Sequence, residues 1–290
     1  MSLYKEYKKS LKIVAAEEFF DLILFRPLAF VLVKGISSTP ITPNQLTFAG
    51  ILFFLAAGIC ISTGSVEAVL VAGLLIGAGN ILDCADGQLA RVKQAGSEFG
   101  RILDGIGDYV SAIALFIGIG IWGSSQSYDP LIWWVIVFAT GVTYGWQASL
   151  VDYFRNEFIM HVEGKQDFTD DEIKKSREKL RKIKNVKGKR FNRFMLSSYI
   201  IYSTLQTKMQ PKQVKIDMNL SEEYLKNNSF LLRLWCFNGT ATPKFLSVVF
   251  CFFNRLDLFI AYVLIFGTLW SLSLLLLQKK AKKKILMGTV

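Results

Sequence analysis

Histidine is nearly absent from this chain. Of 290 residues only His161 is one, and it stands beside a charged stretch. That argues against a zinc centre built on histidine and against a Ser-His-Asp triad. Cysteine is also sparse. Cys60, Cys84, Cys236 and Cys251 form no CxxC pair and three of them lie in apolar runs, so they read as small apolar residues rather than a disulfide framework. No oxidising compartment is implied. The N-terminus shows a long charged lead instead of a short basic region with a cleavage site, so no signal peptide is expected. Internal repeats and low-complexity tracts are missing too.

What is present pulls in two directions. Apolar residues make up 52% of the chain, with 23 Phe, and yet 34 Lys+Arg face 23 Asp+Glu for a formal net charge of +11. Mean hydropathy is +0.35 and the pI about 9.4. A basic protein that binds nucleic acid does not need long uncharged apolar runs, so no nucleic-acid partner is expected. An all-α integral membrane protein accommodates both figures.

A bilayer core takes about 20 apolar residues of helix. Stretches near Thr47–Thr63, Val66–Leu82, Ile102–Trp122, Leu131–Leu150 and Leu256–Leu277 meet that need, and a sixth near Leu231–Phe253 is interrupted by Pro243 and Lys244. Phe19–Ile36, broken by Asp21, Arg26 and Pro27, suits a helix lying in the interface. The expectation is six transmembrane helices with an N-terminal interfacial helix and a cytoplasmic helical insertion between spans four and five. Its boundaries are 1–46 for the N-tail and interfacial helix, 47–157 for the first four spans, 158–230 for the basic insertion, 231–278 for the last two spans and 279–290 for the tail. In that arrangement 32 of the 34 basic residues fall on one side, which makes both termini cytoplasmic. Within the insertion, Thr169 with Glu172 has the spacing of a capping box, Lys179–Arg193 suits a solvated helix or anionic lipid, and Phe191–Leu205 suits a second surface helix. Lys279–Lys284 has the composition of a stop-transfer anchor.

One window reverses the charge balance. From Asp83 to Asp108 the chain reads DCADGQLARVKQAGSEFGRILDGIGD, at the cytoplasmic ends of two consecutive spans. Asp83 and Asp86 share one helix face, as do Asp104 and Asp108, and the turn near Lys93–Glu98 folds the helices back so the two pairs can converge. Four partly desolvated carboxylates repel unless protonated or bound to cation. Oxygen ligands without His or Cys suit Mg²⁺ or Mn²⁺, and four could hold two ions, an arrangement fit for phosphoryl transfer. Gly87, Gly100, Gly105 and Gly107 clear space for helix approach or phosphate, and Arg91 could contact phosphate oxygens.

Asp83-x2-Asp86-Gly87-x2-Ala90-Arg91-x8-Gly100-x3-Asp104-x3-Asp108 resembles the signature of the CDP-alcohol phosphotransferase family at every fixed position, and Thr39–Thr47 (TPITPNQLT) resembles the region before it. The resemblance implies cleavage of a CDP-linked alcohol, release of CMP and transfer of the phosphate-bearing alcohol to an acceptor hydroxyl in phospholipid biosynthesis. It further implies that Asp83 and Asp104 bridge two divalent cations, that Asp86 binds one and Asp108 the other, and that Asp108 is the general base. Gly87, Arg91 and Ser97 would contact the CDP portion, and Asn44 and Thr47 would help close the nucleotide site. The active site would be cytoplasmic, lipid would be a partner, and a homodimer is implied. The donor reads as CDP-diacylglycerol; the alternative is a CDP-choline- or CDP-ethanolamine-type donor with a lipid acceptor.

Two other classes compete. An intramembrane prenyltransferase would carry DDxxD-like motifs and lack the Gly-x2-Ala-Arg element, and a cation transporter would need its acids near the bilayer midplane. Outside the signature, Asp152, Arg155 and Glu157 suit an acceptor pocket or interfacial ion pairs. Lys244 suits a functional intramembrane charge or a snorkelling lysine. Asn80 could hydrogen-bond across helices, and the Asn238-Gly239-Thr240 sequon should be silent.

Overall fold

The computed structural model describes residues 3–11, 16–126, 128–163, 168–183, 186, 188–209 and 217–287, and every regular element among them is helical. A short α1 (Leu3–Ser10) precedes a π-turn at Asp21–Phe25 and α2 (Arg26–Ile36). Four long helices follow: α3 (Pro43–Ser62), α4 (Val66–Val92), α5 (Glu98–Ser124) and α6 (Pro130–Glu163). Beyond them lie α7 (Phe168–Ile183), α8 (Arg190–Met209), α9 (Ser221–Phe237) and α10 (Ala241–Phe252). The last apolar rod is α11 (Leu256–Ala261), a π-turn at Tyr262–Gly267 and α12 (Thr268–Met287). Among the described residues, five helices are long and apolar enough to cross a membrane: α3, α4, α5, α6 and the Leu256–Met287 rod.

The starts of these helices are written locally. Thr42 and Gln45 form a reciprocal capping box, with Pro43 in the first turn where its missing N–H costs nothing. Ser65 caps α4 and Ser97 caps α5, each hydroxyl accepting from the amide three residues on. Small residues then let the helices close. A Cβ on Gly58 would lie 2.5 Å from the Ala114 carbonyl, and one on Gly118 would strike the Gly58 backbone, so α3 and α5 touch backbone to backbone. Phe54, Ile61, Ile76, Ile119, Trp122 and Val263 fill the core where α3, α4, α5 and the last rod meet.

The stretch expected as the fifth of six spans is not one helix. It breaks at Asn238–Thr240 into α9 and α10, of 17 and 12 residues. Pro243 lies in the first turn of α10, where no intrahelical acceptor is needed, and the Ala241 N–H donates to the Glu18 carboxylate at 2.6 Å. Asn238 donates its side-chain amide to Ser271 Oγ at 2.9 Å, so the break is held by side chains. α10 packs on α4, with Cys251 and Val248 lying over Gly73.

The segment expected as an interfacial helix is present as the π-turn and α2. Pro27 sits at its start, and Phe25, Ala29 and Val33 bury against Cys84, Ala85 and Leu89 of α4. Leu24, Leu28 and Val31 face outward. α6 runs past residue 157 to Glu163, and Phe191–Leu205 falls inside α8. The side chains of Thr169 and Glu172 lie outside the described residues; their helix begins at Phe168.

The lysines of the C-terminal tail do not form a uniform charged anchor. Lys282 turns inward and meets Glu157 at 2.6 Å, both side chains nearly inaccessible, while Tyr224 donates to the other Glu157 oxygen at 3.1 Å. His161 stacks on Tyr224, and Gln278 donates to Asn228 at 2.5 Å. These contacts zip α6, α9 and α12 together. Removing one partner of such a pair strands a buried charge, so Lys282→Ala should lower unfolding stability by about 3 kcal/mol in detergent melts, whereas Lys282→Met with Glu157→Leu should recover most of it.

Candidate active site

α4 descends into the site and α5 leaves it, so the acidic motif occupies two adjacent helix ends. Carboxylate oxygens of Asp83, Asp86 and Asp104 all lie within 4.8 Å of one another. Asp86 is the buried member, and Thr47 of α3 donates its hydroxyl to it at 2.5 Å. Thr47 also hydrogen-bonds the Pro43 carbonyl at 3.2 Å, fixing its rotamer. Gly107 lets α5 come this close to α3, since a Cβ there would stand 2.7 Å from Ile51 Cδ1.

Asp108 is placed differently from its three companions. It shares a small cavity wall with Asp83, Asp104 and Thr47, but its carboxylate is held by Lys244. The Lys244 ammonium lies 3.1 Å from Asp108 and 3.3 Å from Asp83, and 5.7 Å from the Phe54 ring centroid. Lys244 therefore does not snorkel; it bridges the two motif ends from α10.

A cavity of about 430 Å³ opens beside the triad, and its wall includes Asn44, Thr47, Gly87, Arg91, Ser97 and Asp104. All five residues expected at the nucleotide thus line one space. The N-termini of α3 and α5 converge there. Gly100 permits it, because a Cβ would come within 2.8 Å of Asn44 Oδ1 and 3.1 Å of Ser97 Oγ. Two helix N-termini, with Arg91 and Arg101 on the same wall, suit an anionic ligand. Ser97 spends its oxygen on the cap, and Arg91 Nε donates to the Ser10 carbonyl at 2.5 Å while its terminal nitrogens face Gly87.

On the other side of Asp108 lies an apolar groove of about 390 Å³ between α5 and α6. Ile113, Phe116, Trp134 and Phe138 form its walls, and Asp108, Asp152 and Thr240 stand at its polar end.

Three residues at this end escaped sequence reasoning: Ser10, Glu18 and Asp21. Glu18 is buried and takes Arg155 at 2.6 Å besides capping α10, and Arg155 also meets Asp152 at 3.4 Å. The ion-pair expectation for Asp152 and Arg155 holds. Acids inside an apolar run were the available signal for Glu18 and Asp21. Asn80 is buried, but its Nδ2 has no hydrogen-bond partner among the described residues, so the expected cross-helix bond is not formed through it.

Residues 40–163, which carry the whole acidic motif and the cavity wall, match the family model described as CDP-alcohol phosphatidyltransferase. Over that segment the chain is similar to the CDP-alcohol phosphatidyltransferase family. Two curated relatives are similar over it. One is the archaetidylinositol phosphate synthase of Pyrococcus horikoshii, 35% identical over 107 residues, which are 37% of this chain and 52% of the relative. The other is the phosphatidylinositol phosphate synthase of Corynebacterium glutamicum, 34% identical over 109 residues, 37% of this chain and 46% of the relative. The chain thus spans about half the length of the curated relatives it matches.

Three carboxylates at ligand spacing, one steadied by a hydroxyl, form an all-oxygen donor set that fits a hard divalent cation. Thr47→Val should weaken Mn²⁺ binding to the protein roughly tenfold, read by electron paramagnetic resonance titration of free Mn²⁺. Behind the triad, burial and then the neighbouring Glu18 charge push the Asp21 carboxyl from an ordinary 3.8 up to about 7. The folded protein therefore keeps a proton that the unfolded chain has released, and stability should fall as pH rises from about 4 to about 7. Asp21→Asn should flatten that part of the stability–pH curve in thermal melts.

Proposed function

We propose that the chain is a metal-dependent phosphatidyltransferase that moves the phosphatidyl group of CDP-diacylglycerol onto an acceptor hydroxyl and releases CMP. The observation that carries this reading is the meeting of two unlike cavities at one set of aspartates. A polar, helix-capped cavity suits cytidine diphosphate; an apolar groove suits the lipid portion.

Asn44, Thr47, Gly87, Arg91 and Ser97 bind and orient the nucleotide. Asp83, Asp86, Asp104 and Asp108 would hold divalent cations, Mg²⁺ or Mn²⁺. The bound cations would neutralise the diphosphate. Asp108 takes the proton of the acceptor hydroxyl as its oxygen bonds to the phosphorus bearing the alcohol. The bond from that phosphorus to CMP breaks, and Asp83, Asp86 and Asp104 keep the reacting groups in line. Lys244 fixes the Asp83–Asp108 edge while the groove excludes water.

The topology belongs to this reading. The broken segment 231–253 completes a sixth crossing, α1 and α2 lie at the interface, residues 158–230 form a cytoplasmic insertion, and both termini and the site face the cytoplasm. The basic residues gathered on that side support it. The active form is a homodimer. The relatives' names direct the first acceptor to test, an inositol phosphate. The groove opens on the Asp108 side, which favours a second reading: a small CDP-linked alcohol as donor and a lipid alcohol as acceptor.

Purified protein with Mn²⁺ or Mg²⁺ would be given CDP-diacylglycerol with inositol phosphate, glycerol phosphate, serine or inositol. A parallel arm would supply CDP-choline or CDP-ethanolamine with diacylglycerol. CMP release and the mass of the new lipid are the readouts. We expect release only in the CDP-diacylglycerol arm, with Asp108→Asn lowering kcat at least about 100-fold. Full rate in Asp108→Asn or Asp83→Ala, or no CMP from any pair, would falsify the reading.

A further inference from the structure

α7 and α8 form an antiparallel pair whose outer faces are exposed among the described residues. On α7, Ile173 and Ser176 are buried while Leu180 and Ile183 are partly covered, all on one face. The opposite face exposes Lys174, Lys175, Lys179, Arg181 and Lys182 together with Glu178. Arg177 reaches across to Thr204 of α8 at 3.4 Å. α8 packs against α5 and α6, and Met195 and Ser203 are buried.

The outward side of α8 is apolar. Phe194, Ile201 and Leu205 stand seven and four residues apart on one stripe and are 66%, 61% and 55% exposed. Arg190 and Lys208 flank that stripe at the two helix ends, both exposed. Large apolar side chains in a row, bracketed by cations whose stems can lie along hydrocarbon, match a helix resting at the headgroup–acyl boundary.

We propose that the α7–α8 arm docks on an anionic lipid surface, with the Phe194–Ile201–Leu205 stripe entering the acyl boundary and the α7 cations meeting headgroup phosphates. Charge decides between this occupant and a second copy of the chain. A copy would bring the same row of lysines and arginines, whereas acidic headgroups complement it. The contacts of α8 with α5 tie the arm to the helix that carries Asp104 and Asp108. The proposal does not rest on the transfer reaction and stands or falls apart from it.

The full chain would be placed in nanodiscs of phosphatidylcholine alone or with phosphatidylserine, and amide hydrogen exchange followed over residues 190–209. We expect exchange there to slow at least about fivefold with phosphatidylserine, while exchange in α4 stays unchanged. The triple variant Lys175→Glu, Arg181→Glu, Lys182→Glu should abolish the lipid dependence with α4 protection intact. Phe194→Ser with Ile201→Ser should weaken protection in both lipids. Equal exchange in the two lipids, or protection that persists in detergent and rises with protein concentration, overturns the proposal; the second outcome assigns the face to a second copy.

Discussion

Four aspartates drawn together at two adjacent helix ends repel one another, with Asp86 buried, Asp83 partly covered and Asp104 and Asp108 exposed, and the surrounding structure is arranged around that repulsion. Asp83, Asp86 and Asp104 sit within ligand distance, a spacing that costs free energy unless protons or cations compensate. The fold supplies part of the answer itself. Thr47 donates to Asp86, and Lys244 stands between Asp83 and Asp108. Lys244 needs α10 to begin at the correct depth, and that start is fixed by Glu18 at the Ala241 amide. Glu18 in turn is neutralised by Arg155 of α6. A chain of alternating charges thus runs from the fourth long helix through the N-terminal segment and α10 into the site.

This explains why residues outside the matched domain matter to it. The match to the family model ends at residue 163, yet Lys244 and the residues that seat it lie on both sides of that boundary. Gly239 shows how tight the seating is: a Cβ there would overlap the Glu18 carboxylate. The kinked entry to α10 is the geometric cost of bringing a positive charge to the Asp83–Asp108 edge of the motif. A straight span across 231–253 would carry Lys244 past it.

The motif and its helices were legible because their causes are local. Caps at Thr42, Ser65 and Ser97 fix where α3, α4 and α5 start, and helical spacing fixes which aspartates share a face. The five residues expected at the nucleotide line one cavity because they sit on three consecutive helix ends. The interruption of the fifth expected span was read from Pro243 and Lys244, but its position at Asn238–Thr240 was not, since side chains from distant elements hold that turn. Glu18, Asp21 and Ser10 escaped for the same reason: their partners are 60 or more residues away. A buried acid reveals its purpose only when its cation is in view.

The bookkeeping of charge also separates the two cavities chemically. Four carboxylates and one ammonium leave the site strongly negative by itself, which would repel a diphosphate. Two divalent cations would reverse that sign, so nucleotide and cation should bind cooperatively, each relieving the other's electrostatic cost. Arg91 and Arg101 add positive charge only on the polar cavity's wall, and the apolar groove has none. An anionic headgroup is therefore drawn to one side of Asp108 and hydrocarbon to the other. Asp104 lines the polar cavity and Asp108, one turn on, the apolar groove, so the two spaces are joined by a single turn of α5.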